Sequence, residues 1–175
     1  MTATMLAGAV CAPVLGRMGD LYGRRRILVI ILGVMGVGSL LGAVSWSLPP
    51  LLLPRALQSA AFGVIPLGIS LLREKLPEDR EASGIAMMSS TLGIGGAIGL
   101  PLAGLTAEFA GWRMLFWTAA LVSLISMVLA WRLVPESAIR AGGRFDAPGA
   151  VLLCLALLCL LVPISQSGVW GWNAR

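Results

Sequence analysis

The charged residues of this chain are spaced so that six long stretches carry none, and that spacing limits the fold more than any other feature. The charge-free runs are residues 1–16, 27–54, 56–72, 82–107, 114–131 and 147–174. The hydrocarbon core of a bilayer is about 30 Å thick and takes about 20 helical residues to cross. Five runs match one crossing each with modest extension into their flanks, and the first is somewhat shorter. In lipid no backbone N–H or C=O can be left without a partner, so spans of this kind are helices. Composition agrees: 58% of the residues are hydrophobic and 12% charged, against about 25% charged in soluble domains. The fold class that follows is an all-α, multi-pass membrane protein.

Six helices are expected, over about 2–18, 27–46, 50–72, 83–107, 113–133 and 148–167. The stretch SWSLPP, residues 45–50, ends the second, because a proline pair stops a helix and Trp46 suits a membrane interface. The short links imply antiparallel neighbours. Ten of the thirteen Lys and Arg fall after helices one, three and five: Arg17, Arg24, Arg25, Arg26, Arg73, Lys75, Arg80, Arg132, Arg140 and Arg144. By the positive-inside rule those loops are cytoplasmic and both chain ends face outward, with GVWGW, residues 168–172, in the outer aromatic belt. The same rule accounts for the net charge of +5 without a nucleic-acid partner. A cleaved secretory signal over residues 1–16 is disfavoured, because no Lys or Arg precedes the apolar stretch. A first helix starting outside, almost at Met1, leads to the expectation that at least one more helix precedes it.

Enzyme chemistry finds little to work with. There is no His, and Cys11, Cys154 and Cys159 all lie in apolar runs without metal-ligand spacing. No paired carboxylates sit within a span, and nothing reads as a phosphate-binding glycine loop. No metal or cofactor is expected.

Three stretches ask for more than membrane anchoring. GRMGDLYGRRRIL, residues 16–28, places Asp20 among arginines, where an acid adds nothing to orientation. Lipid phosphates and a tight turn would explain its arginines and glycines, but not Asp20. LPRALQSAAFG, residues 53–63, carries Arg55, the one charge inside a predicted span. Inserting Arg costs about 2.5–3.5 kcal/mol on insertion scales, unless it snorkels to the nearby outer surface. GIGGAIGLPLAG, residues 93–104, sets Gly95 and Gly99 on one helix face with Gly104 close to it. Small residues of that kind let membrane helices approach closely, and Pro101 can kink the helix.

The first stretch resembles the signature loop of the major facilitator superfamily, G-x-L-A-D-R-x-G-R-R-x-x-L, with Gly16, Asp20, Gly23, Arg24, Arg25 and Leu28 at matching positions. The resemblance implies a cytoplasmic gating latch. Its aspartate faces the amino end of a helix in the other half of the transporter, a placement favoured by about 0.3–2 kcal/mol. The second stretch resembles the R-x-x-Q-G motif, with Arg55 and Gln58 matching and Ser59 in place of Gly. It implies proton coupling, through a positive potential that lowers the pKa of a neighbouring acid. The third resembles the antiporter motif G-x-x-x-G-P-x-x-G, with Gly95, Gly99, Pro101 and Gly104 and with Leu100 intervening. GWRMLFW at 111–117, GRFDAPGA at 143–150 and PISQSGVWGW at 163–172 resemble helices six and seven of the fourteen-helix drug/proton antiporter branch. In REKLPEDREASG, residues 73–84, taken as a solvated cytoplasmic loop, Arg80 is a further candidate brace of the gate.

The implied organisation is a partial transporter bundle over 1–134, a cytoplasmic loop at 135–147, an additional transmembrane helix at 148–167 and an outer tail at 168–175. This covers about helices two to seven of fourteen. The implied function is proton-coupled efflux of small drug-like molecules by alternating access, in the plasma (inner) membrane. The implied partners are the lipid bilayer, a small-molecule substrate, protons and a C-terminal helical half. No carboxylate lies deep in a span and only one bundle is present, so the chain alone is expected not to transport. A non-transporting membrane sensor or assembly protein on the same scaffold is the alternative.

Overall fold

The computed structural model describes residues 2–45, 48–136 and 146–170, and these are helical almost throughout. The helices are α1 (Thr2–Tyr22), α2 (Arg24–Val44), α3 (Leu48–Gln58), a 3₁₀ segment (Ser59–Gly63), α4 (Val64–Lys75), α5 (Glu78–Ala110), α6 (Trp112–Leu133) and α7 (Ala147–Trp170). Among the described residues four segments are long and apolar enough to cross a membrane: Arg24–Val44, Leu51–Lys75, Glu78–Ala110 and Trp112–Leu133.

The crossing predicted over residues 50–72 is not one regular helix. Pro66 has no N–H to give to the carbonyl of Phe62, and its ring crowds that carbonyl. The preceding turn tightens into the 3₁₀ segment, and α4 restarts at Val64. Ser59 and Gly63 are buried there, which brings the chain close to α1.

The helices also run further into polar sequence than the apolar runs do. The signature stretch is not a loop: α1 continues to Tyr22 and α2 begins at Arg24. Gly23 alone makes the reversal, at φ 104°, a left-handed conformation that a Cβ disfavours. Residues 73–84 are likewise not a loop, since only Leu76 and Pro77 separate α4 from α5. Glu78, Asp79 and Glu81 sit in the first turn of α5, where the helix dipole favours negative charge. Arg73 reaches across to Glu81 at 3.0 Å. The acids expected in loops at 74, 78, 79, 81 and 108 are therefore helix-end residues. Two of the expected pieces, the 135–147 loop and the 168–175 tail, fall mostly outside the described residues.

The centre of the fold is α2. It packs against α6, α3 and α1. Ile27 and Ile31 meet Leu67 of α4, with Leu15 and Met18 of α1 beside them. Leu28 meets Leu71 of α4 and Ala130 of α6. Lipid tails are as apolar as these side chains, so close fit and interhelical hydrogen bonds hold the bundle rather than expulsion of water. One such bond joins α3 to α2: the Gln58 amide donates to the hydroxyl of the fully buried Ser39 at 3.0 Å. Next to it Gly38 lets α3 approach. A Cβ at Gly38 would lie 2.8 Å from the Leu57 Cβ and 3.2 Å from the Pro54 carbonyl oxygen, neither of which is a flexible side-chain end. Gly38→Val should therefore destabilise the fold by about 2–3 kcal/mol, read as a fall in thermal midpoint in detergent micelles.

The long α5 behaves differently. Its 33 residues extend about 50 Å at 1.5 Å per residue, yet none of them is buried. It touches α4 near its start and α6, and it runs uninterrupted through Pro101.

Candidate gate and central cavity

Three arginines open α2, at the end where the helix dipole already carries partial positive charge. Acids from other elements are needed to hold them there. Arg24 is the hub. Its Nε donates to Asp20 Oδ1 at 3.0 Å, and its Nη1 donates to the Ser70 carbonyl at 2.8 Å and to Glu74 Oε2 at 3.3 Å. One guanidinium thus ties the last turn of α1 to the last turns of α4. The Glu74 side chain is only 4% exposed and also lies 3.6 Å from Lys75 Nζ. Arg25 donates from Nη2 to the Trp131 carbonyl, one of the carbonyls left over at the end of α6. Arg26 lies 3.8 Å from Glu136 Oε2, and Lys75 donates to the Glu136 backbone carbonyl at 3.1 Å.

The structure therefore brings Asp20, Gly23, Arg24 and Arg25 together at one end of the bundle. Gly16 lies a turn earlier on α1, with open space around its Cα. Arg80 stays apart: it is largely exposed, and among the described residues its side chain pairs with Asp79 alone, at 3.8 Å. Glu74 and Glu136 are the residues that sequence reasoning missed. The signal for Glu74 was present, an acid between Arg73 and Lys75 directly after an apolar span.

The second assembly is a cavity of about 1390 Å³ among α2, α3, α5 and α6. Arg55 and Gln58 of α3 face Gly99, Ala103 and Thr106 of α5 across it, and Trp112, Phe116 and Val122 of α6 complete much of the wall. Among the described residues Arg55 is the single charged residue of the lining. Its guanidinium carbon sits 5.2 Å from the centre of the Phe116 ring, a cation–π distance. Trp112 meets Phe116 edge to face, centroids 6.0 Å apart. Gly99 joins this wall, whereas Gly95, Pro101 and Gly104 do not. Gly95, Gly99 and Gly104 have no neighbour within 4 Å of an added Cβ, so no described helix lies against them.

The family model for the Major Facilitator Superfamily matches residues 1–172. The chain belongs to the Major Facilitator Superfamily. Among curated relatives in the superfamily, the cephamycin export protein of Amycolatopsis lactamdurans is 32% identical over 162 residues, covering 90% of this chain and 33% of that protein. The tetracenomycin C resistance and export protein of Streptomyces glaucescens is 30% identical over 172 residues, covering 97% and 32%. Among solved structures the human organic anion transporter MFSD10 superposes with a TM-score of 0.74 at 22% identity, over 87% of this chain and 36% of that one. That likeness is one of fold. The chain spans about a third of the length of these superfamily relatives, and it is a multi-pass membrane protein.

Proposed function

We propose that this chain forms part of a transporter that moves small drug-like molecules outward in exchange for protons. The observation that carries the reading is the cavity: about 1390 Å³ between four helices, aromatic and aliphatic in its walls, with the Arg55 guanidinium in its lining. Ligand cavities combine apolar walls with a few placed polar groups in this way. The two curated relatives named for export of cephamycin and tetracenomycin C support outward movement of such compounds.

In this reading Arg55 and Gln58 serve proton coupling at the cavity. Asp20, Gly23, Arg24 and Arg25, with Gly16 leading into them and Arg80 as an outlying brace, form the gate on the cytoplasmic side of the plasma membrane. The small-residue face of α5, with Gly95, Gly99, Pro101 and Gly104, packs against helices of the C-terminal half. Alternating access needs two bundles moving about a shared site, so transport belongs to the assembled transporter.

The test is reconstitution of the full-length transporter containing this segment into proteoliposomes. An imposed pH gradient should drive accumulation of a fluorescent cationic or aromatic dye, and collapsing the gradient with an uncoupler should abolish it. Dye binding by the intact full-length protein without gradient-driven movement would replace this reading with that of a sensor.

A further inference from the structure

Among the described residues the buried polar ones are all serines: Ser39, Ser45, Ser59 and Ser123. Three of them turn their hydroxyls back to a carbonyl three or four residues earlier, at Leu41, Ala56 and Ala119. That is the usual bond of a helical serine without another partner. Ser39 is used differently. Its fully buried Oγ accepts from Nε2 of Gln58, on another helix, at 3.0 Å, and Gln58 lines the central cavity. A serine behind the wall thus holds a side chain of the wall.

That hold has a direction. An amide carries donors on one arm and an acceptor on the other. With Nε2 engaged by α2, Oε1 is the arm left over. It takes no hydrogen bond among the described residues, and it is not one of their buried unpaired atoms, so it is open to the cavity. The backbone of Gln58 is fixed too, because a Cβ added at Gly38 would lie 3.5 Å from its nitrogen. Arg55 stands three residues earlier on α3, which puts it on the same face. Its positive charge favours an oxygen over an amide NH2 group turned the same way. The pull of Ser39 and the field of Arg55 therefore set the amide alike.

We propose that Ser39 is a positioning residue for ligand selection: it holds the Gln58 carbonyl oxygen toward the ligand, so that the cavity prefers aromatic compounds bringing a hydroxyl or N–H donor over analogues without one. A ligand that displaces water from the cavity and offers no donor strips Oε1 of its solvation, and an acceptor left unpaired is penalised. Trp112 and Phe116 supply the apolar faces for the ring, and Arg55 suits an accompanying carboxylate. The inference rests on the cavity being the ligand site and deepens that reading.

The test is equilibrium binding of three fluorescent probes to the full-length transporter containing this segment, in detergent micelles at neutral pH. The probes are 2-naphthoate, 6-hydroxy-2-naphthoate and 6-methoxy-2-naphthoate, which share the ring and the carboxylate and differ in the donor. No pH gradient is applied, so the result is independent of whether the protein exports. The hydroxyl probe should bind about three- to tenfold more tightly than either of the others, the effect of one hydrogen bond. Ser39→Ala should reduce that preference to about twofold or less while leaving the affinity for 2-naphthoate unchanged, a split that loss of packing would not produce. Equal binding of all three probes by the unaltered protein, a comparison that needs no variant to fold, would overturn the assignment. So would an undiminished preference in Ser39→Ala, or an equal weakening of all three probes there, which marks Ser39 as a packing residue. Binding of none of the probes would overturn the cavity as a ligand site and the assignment with it.

Discussion

Replacing Arg24 by alanine should lower the unfolding free energy by about 2–4 kcal/mol, measured by equilibrium SDS titration in mixed micelles. Arg24 joins three elements through Asp20, the Ser70 carbonyl and Glu74. Its loss strips the arginine from a carboxylate that is 4% exposed and from a carbonyl of α4. Removing one partner of a buried pair usually costs about 3–5 kcal/mol. The lower range applies here because Arg24 is itself 21% exposed and Lys75 stays 3.6 Å from Glu74. Arg24→Lys should recover only part of the loss, since a single ammonium cannot span the three acceptors that the planar fork reaches.

Asp20→Asn separates brace from gate. The Asp20 side chain is 36% exposed and its bond to Arg24 spans one helical turn, so its contribution to stability should be about 0.5 kcal/mol or less. In the full-length transporter the same change should slow turnover about three- to tenfold, because a latch worth about 0.3–2 kcal/mol biases the two access states by that order. Should Asp20→Asn destabilise as much as Arg24→Ala while turnover per folded molecule stays normal, Asp20 is a structural brace and the gating role is lost.

The parts of this architecture that depend on solvent preference could be read from the residues. Charge-free runs locate the helices because lipid tolerates neither bare backbone nor free charge. Helix ends were harder to place. Hydropathy stops at the first Arg or Glu, whereas a helix continues while its carbonyls and N–H groups find partners, and so α1 runs through Asp20 to Tyr22 and α5 starts at Glu78. The 3₁₀ segment at Ser59–Gly63 was signalled by Pro66, although the unbroken apolar run around it reads as one regular crossing. At the candidate sites, Asp20 and Arg55 stood out because charge in an apolar chain demands a reason. Glu74 and Glu136 did not, because an acid near arginines at a membrane boundary looks solvated until the fold brings α4 and the end of α6 against α2. The meeting of Arg55 with Phe116 across α3 and α6 joins positions about sixty residues apart, beyond the reach of any periodicity or local motif.

Arg55→Ala, made in the full-length transporter, should reduce gradient-driven dye movement about tenfold or more while costing only about 0.5–2 kcal/mol of stability, the range of a cation–π contact. The reasoning rests on what else lines the cavity. No other charged residue does among the described residues, so Arg55→Ala removes the fixed charge that they give the cavity, and on the proposed coupling role that charge is what an acid of the assembled transporter would respond to. Packing changes far less, because the guanidinium rests on one face of Phe116 at 5.2 Å and Arg55 is otherwise exposed. Phe116→Leu is the control. It removes the aromatic face but keeps the charge, so it should shift stability without abolishing the response to the pH gradient. Arg55→Lys keeps the charge and loses the planar stack, and should fall between wild type and Arg55→Ala. If Lys and Ala at this position both support full gradient-driven movement, the charge at Arg55 has no part in coupling, and the arginine is held where it is by its contact with Phe116 and by solvation of its own guanidinium.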